Sequence, residues 1–237
     1  MRSIVFCGRD LSDICSAQVI ERVAHAVVPS SVLVPGRAGA LLVAGRVPVQ
    51  DVRVRLFLDP GYKPGSSGLS ELRHRLRAWL CATEGGTLVL PDDPELEYHD
   101  AVLTAAGEWS QLFEDGRGDL AFTLFDPVAY GAERSEAGMA FEVGGTWPTW
   151  PVFELVADAG SAVQVACDGK GVRIERDFAG GEVVRIDCAG EDVTVDGIDA
   201  RADVTMSSNF FSLEPGDCEL AFSGCSSHAV TFRERWL

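Results

Sequence analysis

The densest group of chemically capable residues is an acidic cluster in the stretch PDDPELEYHD at 91–100. Hard cations such as Ca²⁺ prefer several carboxylate oxygens, so this cluster is a candidate cation site. Its spacing matches no EF-hand loop, however, and its two prolines favour a turn between strands. Glu95, Glu97 and His99 would share one face of a strand, so we favour a solvated strand face and predict no metal site. The carboxylates and imidazole considered are Asp92, Asp93, Glu95, Glu97, Asp100 and His99.

A second candidate is the tryptophan pair Trp147 and Trp150 in the glycine- and proline-rich stretch GGTWPTWP. A β-sandwich can use such an aromatic platform to bind sugars. The alternative is that one ring packs beneath a domain junction and the other fills a sandwich core. We favour this alternative, because buried aromatic rings commonly anchor such contacts.

Signatures of known catalytic sites are absent from the sequence. It contains no Gly-x-Ser-x-Gly elbow, His-Glu-x-x-His motif, P-loop or dinucleotide fingerprint. Seven cysteines occur at 7, 15, 81, 167, 188, 218 and 225, and none has Cys-x-x-Cys spacing. We interpret them as small buried side chains in a reducing compartment rather than as a zinc site or a disulfide framework. The sequence therefore predicts no catalytic residues and no cofactor, and favours an assembly or binding protein over an enzyme.

The composition excludes several further classes. The net charge of −16 argues against a nucleic-acid groove, which needs clustered Lys and Arg to neutralise phosphates. No apolar run approaches the length of a membrane span. The amino-terminal stretch MRSIVFCGRD lacks the apolar core of a secretion signal, so we expect a protein that folds in a cytoplasm.

Alternating apolar residues predict a β-sheet unit in the first half of the chain, with one helix packed on it. The helix is placed at 69–83, because leucines recur at helical spacing and Ser70 is a suitable N-cap. Gly85 and Gly86 would end it. This first domain is assigned to residues 1–140. Strands are predicted at 18–28, 47–58, 87–90, 97–105 and 119–125.

The second domain, residues 141–237, shows seven or eight short strands separated by tight turns, which is typical of an antiparallel β-sandwich. The dipeptides Asp168-Gly169 and Asp196-Gly197 favour hairpin turns. The stretch SNFFSLEPGDCELAFSG at 208–224 is interpreted as a late hairpin that turns at Pro215-Gly216. Phe210 would lie on the opposite face from the core residues, against the first domain or a neighbouring molecule. The predicted core residues of this hairpin are Phe211, Leu213, Cys218, Leu220 and Phe222.

The order of these segments resembles the distal tail proteins of long non-contractile-tailed bacteriophages. The resemblance runs through the whole chain, and its most specific parts are DLAFTLFDPVAYG and the hairpin with the Pro-Gly turn. One departure is that Asp217 and Cys218 follow the turn where many members have Asn. The matching motifs, in order, are FCGRDLSD, PGRAG, VPVQDVRVRLFL, LRAWL, GGTLVLPDDPELEYHDAVL, LAFTLFDPVAYG, GGTWPTWPVFEL, VVRIDCAGEDVTVDG and NFFSLEPGDCELAFSG.

The resemblance implies a ring-forming hub at the tip of the virion tail, assembled in the cytoplasm of the bacterial host. The first domain, a β-sandwich with one helix and a protruding hairpin, would build a homohexameric ring. The second would be a galectin-like β-sandwich. The implied partners are the same chain, the tail-tube protein and the tail-associated hub or lysin protein. Neither catalysis nor a cofactor nor a membrane is implied.

A closed ring needs two different patches on each subunit, and we expect residues 16–60 to supply much of this interface. DNA would pass through the lumen without stable binding, because carboxylates lining the lumen would repel its phosphates.

The main alternative to a tail-tip hub is a carbohydrate-binding module that adheres to the host cell wall. A wall-degrading hydrolase is a third possibility, for which no carboxylate pair can be named. The candidate interface or junction residues are Arg37, Trp147, Trp150 and Phe210.

Overall fold

A computed structural model of the chain describes residues 3–22, 26–59, 68–107 and 116–237. It divides into two compact units, Met1–Tyr130 with Leu237, and Gly131–Trp236. The predicted domain boundary lay at 140/141, whereas the division falls within a strand, Ala129–Glu136, that contributes residues to both units. Strands dominate both units, so the predicted mainly β fold class is confirmed.

The first unit holds a long run of antiparallel strands and one helix among its described residues. Two of these strands, β4 and β5, pair with each other in a sheet of their own. The strands are β1 (Val5–Phe6), β2 (Arg9–Asp10), β3 (Cys15–Arg22), β4 (Val28–Leu33), β5 (Ala40–Arg46), β6 (Gln50–Leu58), β7 (Gly86–Val89), β8 (Glu97–Ala106), β9 (Arg117–Leu124) and the start of β10 (Ala129–Glu136), and the helix is α1 (Gly68–Leu80).

Strand β8 has different partners in its two halves. Tyr98 pairs with Leu88 of β7 on one side and with Ala129 of β10 on the other. From Ala101 onward β8 pairs with β9, which pairs with β6, which pairs with β3. Asp100, at the change of partner, has the left-handed φ of 52° that bulges commonly use. The change of partner lets the strands enclose one core.

The apolar alternation of β6 places every second side chain in this core. Val52, Val54 and Leu56 are fully buried, as the period of two predicts. On the opposite face Arg55 forms a bidentate pair with Asp119, its partner across the β6–β9 ladder, at 2.7 and 2.8 Å. The strand is therefore apolar inward and ion-paired outward.

Helix α1 packs on the first unit through the predicted leucine stripe. Leu72, Leu76 and Leu80 are buried in the core. The helix begins at Gly68, so Ser70 lies inside it and is not the N-cap, and it ends at Leu80 rather than 83. Among the described residues no helix combines the length and apolarity needed to cross a membrane.

The second unit is a sandwich around a separate core. One sheet has the order β17-β16-β15-β12-β20-β10, and β14-β13-β19 and β11-β18 form the other strand groups. The strands are β11 (Ala140–Val143), β12 (Val152–Ala157), β13 (Gly160–Cys167), β14 (Lys170–Phe178), β15 (Val183–Asp187), β16 (Asp192–Val195), β17 (Ile198–Asp199), β18 (Gly216–Glu219), β19 (Ala221–Ser223) and β20 (Cys225–Trp236), with a 3₁₀ turn at Arg201–Asp203.

Both predicted Asp-Gly turns are confirmed. Asp168 and Gly169 have φ values of 50° and 79°, and they join β13 to β14 with Cys167 opposite Lys170. Asp196 and Gly197 have φ values of 49° and 78° between β16 and β17. Two successive positive φ values define the hairpin turn that such dipeptides favour.

The predicted hairpin at Pro215-Gly216 is wrong, because its two limbs have different partners. Leu213 exchanges backbone hydrogen bonds with Thr149, at 2.7 and 2.9 Å, whereas Gly216–Glu219 pairs with Ala140–Val143. The predicted core residues nevertheless face inward. Phe211, Leu213, Cys218 and Leu220 are buried, and Phe222 is partly buried against the same core.

Candidate assembly interface

The most exposed apolar element of the first unit is the two-stranded hairpin β4–β5, residues 28–46, which we call the arm. Its strands pair from Val28 opposite Arg46 to Leu33 opposite Ala40, and every residue of both strands is exposed. A lone two-stranded hairpin is at best marginally stable in water. The arm therefore has the properties of an element that is completed by a partner.

Apolar side chains cover both faces of the arm. Because neighbouring residues of a strand point to opposite faces, the paired Val32 and Leu41 lie on one face. Leu33 and Leu42 lie on the other, where they are 80% and 67% exposed. Such contiguous apolar surface on a protein usually marks an interaction site.

The arm also differs in charge from the rest of the chain. It contains Arg37 and Arg46 and no acidic residue, and the sequence has no acidic residue between Glu21 and Asp51. The whole chain carries a net charge of −16. A basic, apolar arm is thus electrostatically complementary to an acidic surface, and another copy of this chain offers one.

Arg22, at the end of the strand that precedes the arm, is fixed by a local polar cluster. Its guanidinium donates to Asp93 at 2.7 Å and to Asp92 at 3.4 Å, and it lies 5.6 Å from the centre of the Tyr98 ring. Burial raises the pKa of the Tyr98 phenol, and the charge of Arg22 opposes that rise. The cluster fixes the end of β3 against the segment that follows β7.

This arrangement also gives the acidic stretch at 91–100 a structural role. Two of its carboxylates, Asp92 and Asp93, bind Arg22. In the described part of the chain no group of three or more His, Cys, Asp or Glu side chains is placed to hold a metal ion.

The Asp-Pro turn after β9 is stabilised by Asp126. Its carboxylate accepts hydrogen bonds from the Val128 amide at 3.1 Å and from the Tyr130 hydroxyl at 2.6 Å.

Of the sequence-predicted interface residues, Arg37 alone belongs to the arm. It lies exposed in the turn between β4 and β5, where its amide donates to the Val34 carbonyl at 3.2 Å. The turn contains Gly36 and Gly39, whose φ values of 80° and 77° require glycine-like freedom. Arg37 therefore sits at the tip of the candidate interface.

The tryptophan pair lies in the second unit, outside its core. Trp147 is half-buried, and its amide donates to the Arg235 carbonyl at 3.0 Å. Trp150 is 43% exposed. The expectation that one of the two rings fills the sandwich core is therefore wrong. Thr149, between them, is the residue that is buried, and its hydroxyl donates to the Arg233 carbonyl.

Phe210 also has a different environment from the predicted one. Its ring is partly buried against the core of the second unit, next to the fully buried Phe211. A regular strand through 208–213 would have placed Phe210 on the outer face. That segment forms only an isolated bridge at Leu213, so strict alternation does not apply.

The expected interface range of 16–60 contains the arm, but sequence reasoning did not single out its exposed apolar residues. Leu41, Leu42 and Val43 continue the arm beyond the turn, and the long interval without acidic residues was the signal that could have identified them. In the second unit Ile198 is 72% exposed beside the Asp196-Gly197 turn. No pattern in the sequence distinguishes it from a buried strand residue.

Comparison with known families finds a match in the second unit. Residues 144–236 match the sequence model of the siphovirus-type tail component, C-terminal domain. No curated protein matches the chain. The domain match lies entirely within Gly131–Trp236 and covers most of it.

Solved structures extend the similarity to both units. The SPP1 Dit (gp 19.1) protein, described as a paradigm of the hub adsorption apparatus in phages that infect Gram-positive bacteria, superposes with a TM-score of 0.78. The alignment covers 100% of both chains at 18% identity, so the two proteins share the same fold. Chains of the phage P2 baseplate in its activated conformation, with Ca or with Sr, align over 95% of this chain and 92% of theirs at 9% identity, but TM-scores of 0.48 and 0.47 are too low to support a conclusion.

Proposed function

We propose that this chain is the ring-forming hub of a phage tail tip. The resemblance to the distal tail protein family suggests this role, and the tail-component match at 144–236 and the fold shared with the SPP1 Dit protein support it. Its role is structural and non-enzymatic. It joins the tail tube to the proteins of the tail tip, and it works in the virion after assembly in the host cytoplasm.

The observation that carries the proposal is the arm. An exposed, basic hairpin with apolar side chains on both faces fits between two acidic subunits, and each subunit both offers an arm and receives one. Contacts of this head-to-tail kind close into a ring when the rotation between neighbours is a whole fraction of a turn. The proposed ring has six subunits.

The two ring faces receive different partners in this proposal. One binds the tail-tube protein and the other binds the tail-associated hub or lysin protein. Carboxylates that line the lumen let DNA pass by repelling its phosphates, consistent with the overall charge of −16. No stable nucleic-acid complex and no membrane contact are part of this function.

Native mass spectrometry of the purified chain tests the ring directly. Six subunits of 25.4 kDa give a closed species of about 152 kDa, whose share increases with protein concentration. A species that stays at the mass of one chain up to the highest soluble concentration contradicts self-assembly through the arm. An open series of increasing masses contradicts a closed ring.

A carbohydrate-binding module remains the second candidate, and the exposure of Trp150 is the observation that favours it. Sugars stack on solvent-accessible aromatic rings, and this ring is available in the second unit. A glycan array that compares the natural chain with Trp150→Ala separates the two functions. Binding that is lost in the variant supports adhesion, and the absence of any bound glycan supports a purely structural role.

A further inference from the structure

Two large apolar side chains are exposed where β6 begins and β9 ends. In the β6–β9 ladder Gln50 pairs with Leu124, and both side chains are buried. Val49 and Phe125 each lie one residue beyond this pair, so the same register places them opposite each other and on the outward face. They are 52% and 58% exposed. We call Val49 and Phe125 the foot patch.

The foot patch continues the apolar surface of the arm along the chain. Strand β5 ends at Arg46 and β6 begins at Gln50, so Val49 belongs to the three-residue link between the arm and β6. On the other side, the Phe125 amide donates to the Asp100 carbonyl at 3.2 Å, which extends the course of β9 by one residue. The foot patch is therefore attached to the sheet of the first unit at the point where the arm leaves it.

Carboxylates flank the foot patch. Asp51 lies two residues beyond Val49 on the same outward face, where it is exposed. Asp126 follows Phe125 in the chain, and Asp100 lies opposite Phe125. Within the described residues none of these three carboxylates forms an ion pair. The surface thus combines apolar side chains with negative charge that the chain itself does not neutralise.

We propose that the foot patch receives the arm of a second copy of this chain. In this contact the leucines of the incoming arm, Leu33 and Leu42, cover the foot patch. Arg37, at the tip of that arm, faces the carboxylates. The inference rests on the proposed ring, because it names the surface that each arm occupies there.

Charge and apolar character together favour the arm as the occupant. The interval between Glu21 and Asp51 is the longest stretch of the sequence without an acidic residue, and it contains the whole arm. An acidic segment would instead bring like charges together at the foot patch, which opposes binding. When the arm binds, its leucines and the foot patch leave water together, and this burial of apolar surface stabilises the contact.

The arm of the same subunit does not cover the foot patch. Leu33, Leu42 and both residues of the foot patch are all exposed in the single chain. The pairing of β4 with β5 also holds Leu42 four residues, or about 13 Å, from the end of the arm at Arg46. Each subunit therefore has two different surfaces, an arm and a foot patch, as a head-to-tail ring requires.

Photo-crosslinking tests the contact in the assembled chain. Phe125 is replaced by the photoreactive p-benzoylphenylalanine, isotope-labelled and unlabelled chains are mixed and irradiated, and the linked peptides are identified by mass spectrometry. The expected link joins position 125 of one chain to a peptide within 28–46 of another. Links to other regions, in a chain that does assemble, overturn this inference and leave the ring intact. A natural chain that stays monomeric in native mass spectrometry overturns the ring and this inference with it.

The double variant Val49→Ser/Phe125→Ser provides an independent measurement. Loss of two half-exposed apolar side chains should make the assembly dissociate on the order of 30-fold more readily in sedimentation velocity. The unfolding temperature should stay the same, because both side chains already face water. Met139→Ser/Val183→Ser is the matched control, since these side chains are 56% and 45% exposed and belong to the second unit. Association that is unchanged in the Val49/Phe125 variant, or equally weakened in the control, would overturn the proposal.

Discussion

Replacement of Leu33 and Leu42 by serine should weaken self-association without weakening the fold. Both side chains lie on one face of the arm, because Leu33 pairs with Ala40 and Leu42 with Ser31 two positions along the same ladder. Their exposed fractions, 80% and 67%, are the areas that a neighbouring subunit can cover. The fold of the single chain gains little from them, because they already face water.

The magnitude follows from those fractions. Complete burial of a leucine side chain is worth about 2 kcal/mol, so covering these two contributes about 3 kcal/mol to each subunit contact. A tenfold change in a binding constant corresponds to about 1.4 kcal/mol, so the double variant should dissociate on the order of 100-fold more readily. This value is an upper estimate, since it assumes that the neighbour covers both side chains completely.

Sedimentation velocity over a concentration series measures the effect. The natural chain should assemble at concentrations where the double variant stays monomeric, and both should unfold at the same temperature. Ile198→Ser is the matched control, because this 72% exposed side chain belongs to the second unit and not to the arm. Unchanged assembly in the double variant, or an equal loss in the control, would refute the role of the arm.

Three further substitutions test the internal structure of the units. Gly145→Ala should lower the stability of the second unit by about 2–4 kcal/mol in chemical denaturation, because the φ of Gly145 is 95° and the added Cβ would lie 2.3 Å from the Arg235 carbonyl oxygen. Gly131→Ala is the control and should have a much smaller effect, because its added Cβ would make only ordinary contacts. Arg22→Met should cost about 1 kcal/mol and speed hydrogen exchange at the end of β3, since two aspartates and a phenol lose their cation; exchange equal to that of the natural chain would contradict the role of Arg22 in fixing this strand end. Asp126→Ala should cost about 1–2 kcal/mol by removing both hydrogen bonds of the turn, and Asp126→Asn should cost less because one acceptor remains; equal losses would argue against a turn held by this side chain.

Local signals in the sequence predicted much of the fold. The alternation of β6 identified its buried residues, because a strand with one buried face repeats every two residues. The Asp168-Gly169 turn was predictable because few residue pairs tolerate two positive φ values. The leucine stripe of α1 identified the buried face of the helix for the same kind of reason, a fixed period of 3.6 residues.

Features that depend on distant partners were not predictable. Pro215-Gly216 is a residue pair typical of a hairpin turn, yet the segments on its two sides do not pair with each other. Leu213 pairs with Thr149, and Gly216–Glu219 pairs with Ala140–Val143. Phe210 packs against the core of its own unit because the backbone before Leu213 does not form a regular strand. Pairing over long sequence separation decides both outcomes, and periodicity contains no information on it.

The arm was predicted only in part, for a related reason. Residues 16–60, which include the whole arm, were expected to supply much of an interface. The sequence did not show which of their side chains are exposed, because apolar residues such as Leu42 and Val43 are equally typical of a buried strand. The structure shows that, of the strands it describes, only β4 pairs with β5, and that these side chains are left exposed to water. The absence of acidic residues between Glu21 and Asp51 is the one sequence feature that distinguishes this interval from an ordinary buried strand pair.

Electron cryo-microscopy of the assembled chain tests whether the arms build a ring. The map should show a closed six-subunit ring in which both faces of each arm, marked by Leu41 and Leu42, are covered by adjacent subunits. A ring whose arms project into solvent, or particles that contain a single chain, would contradict it.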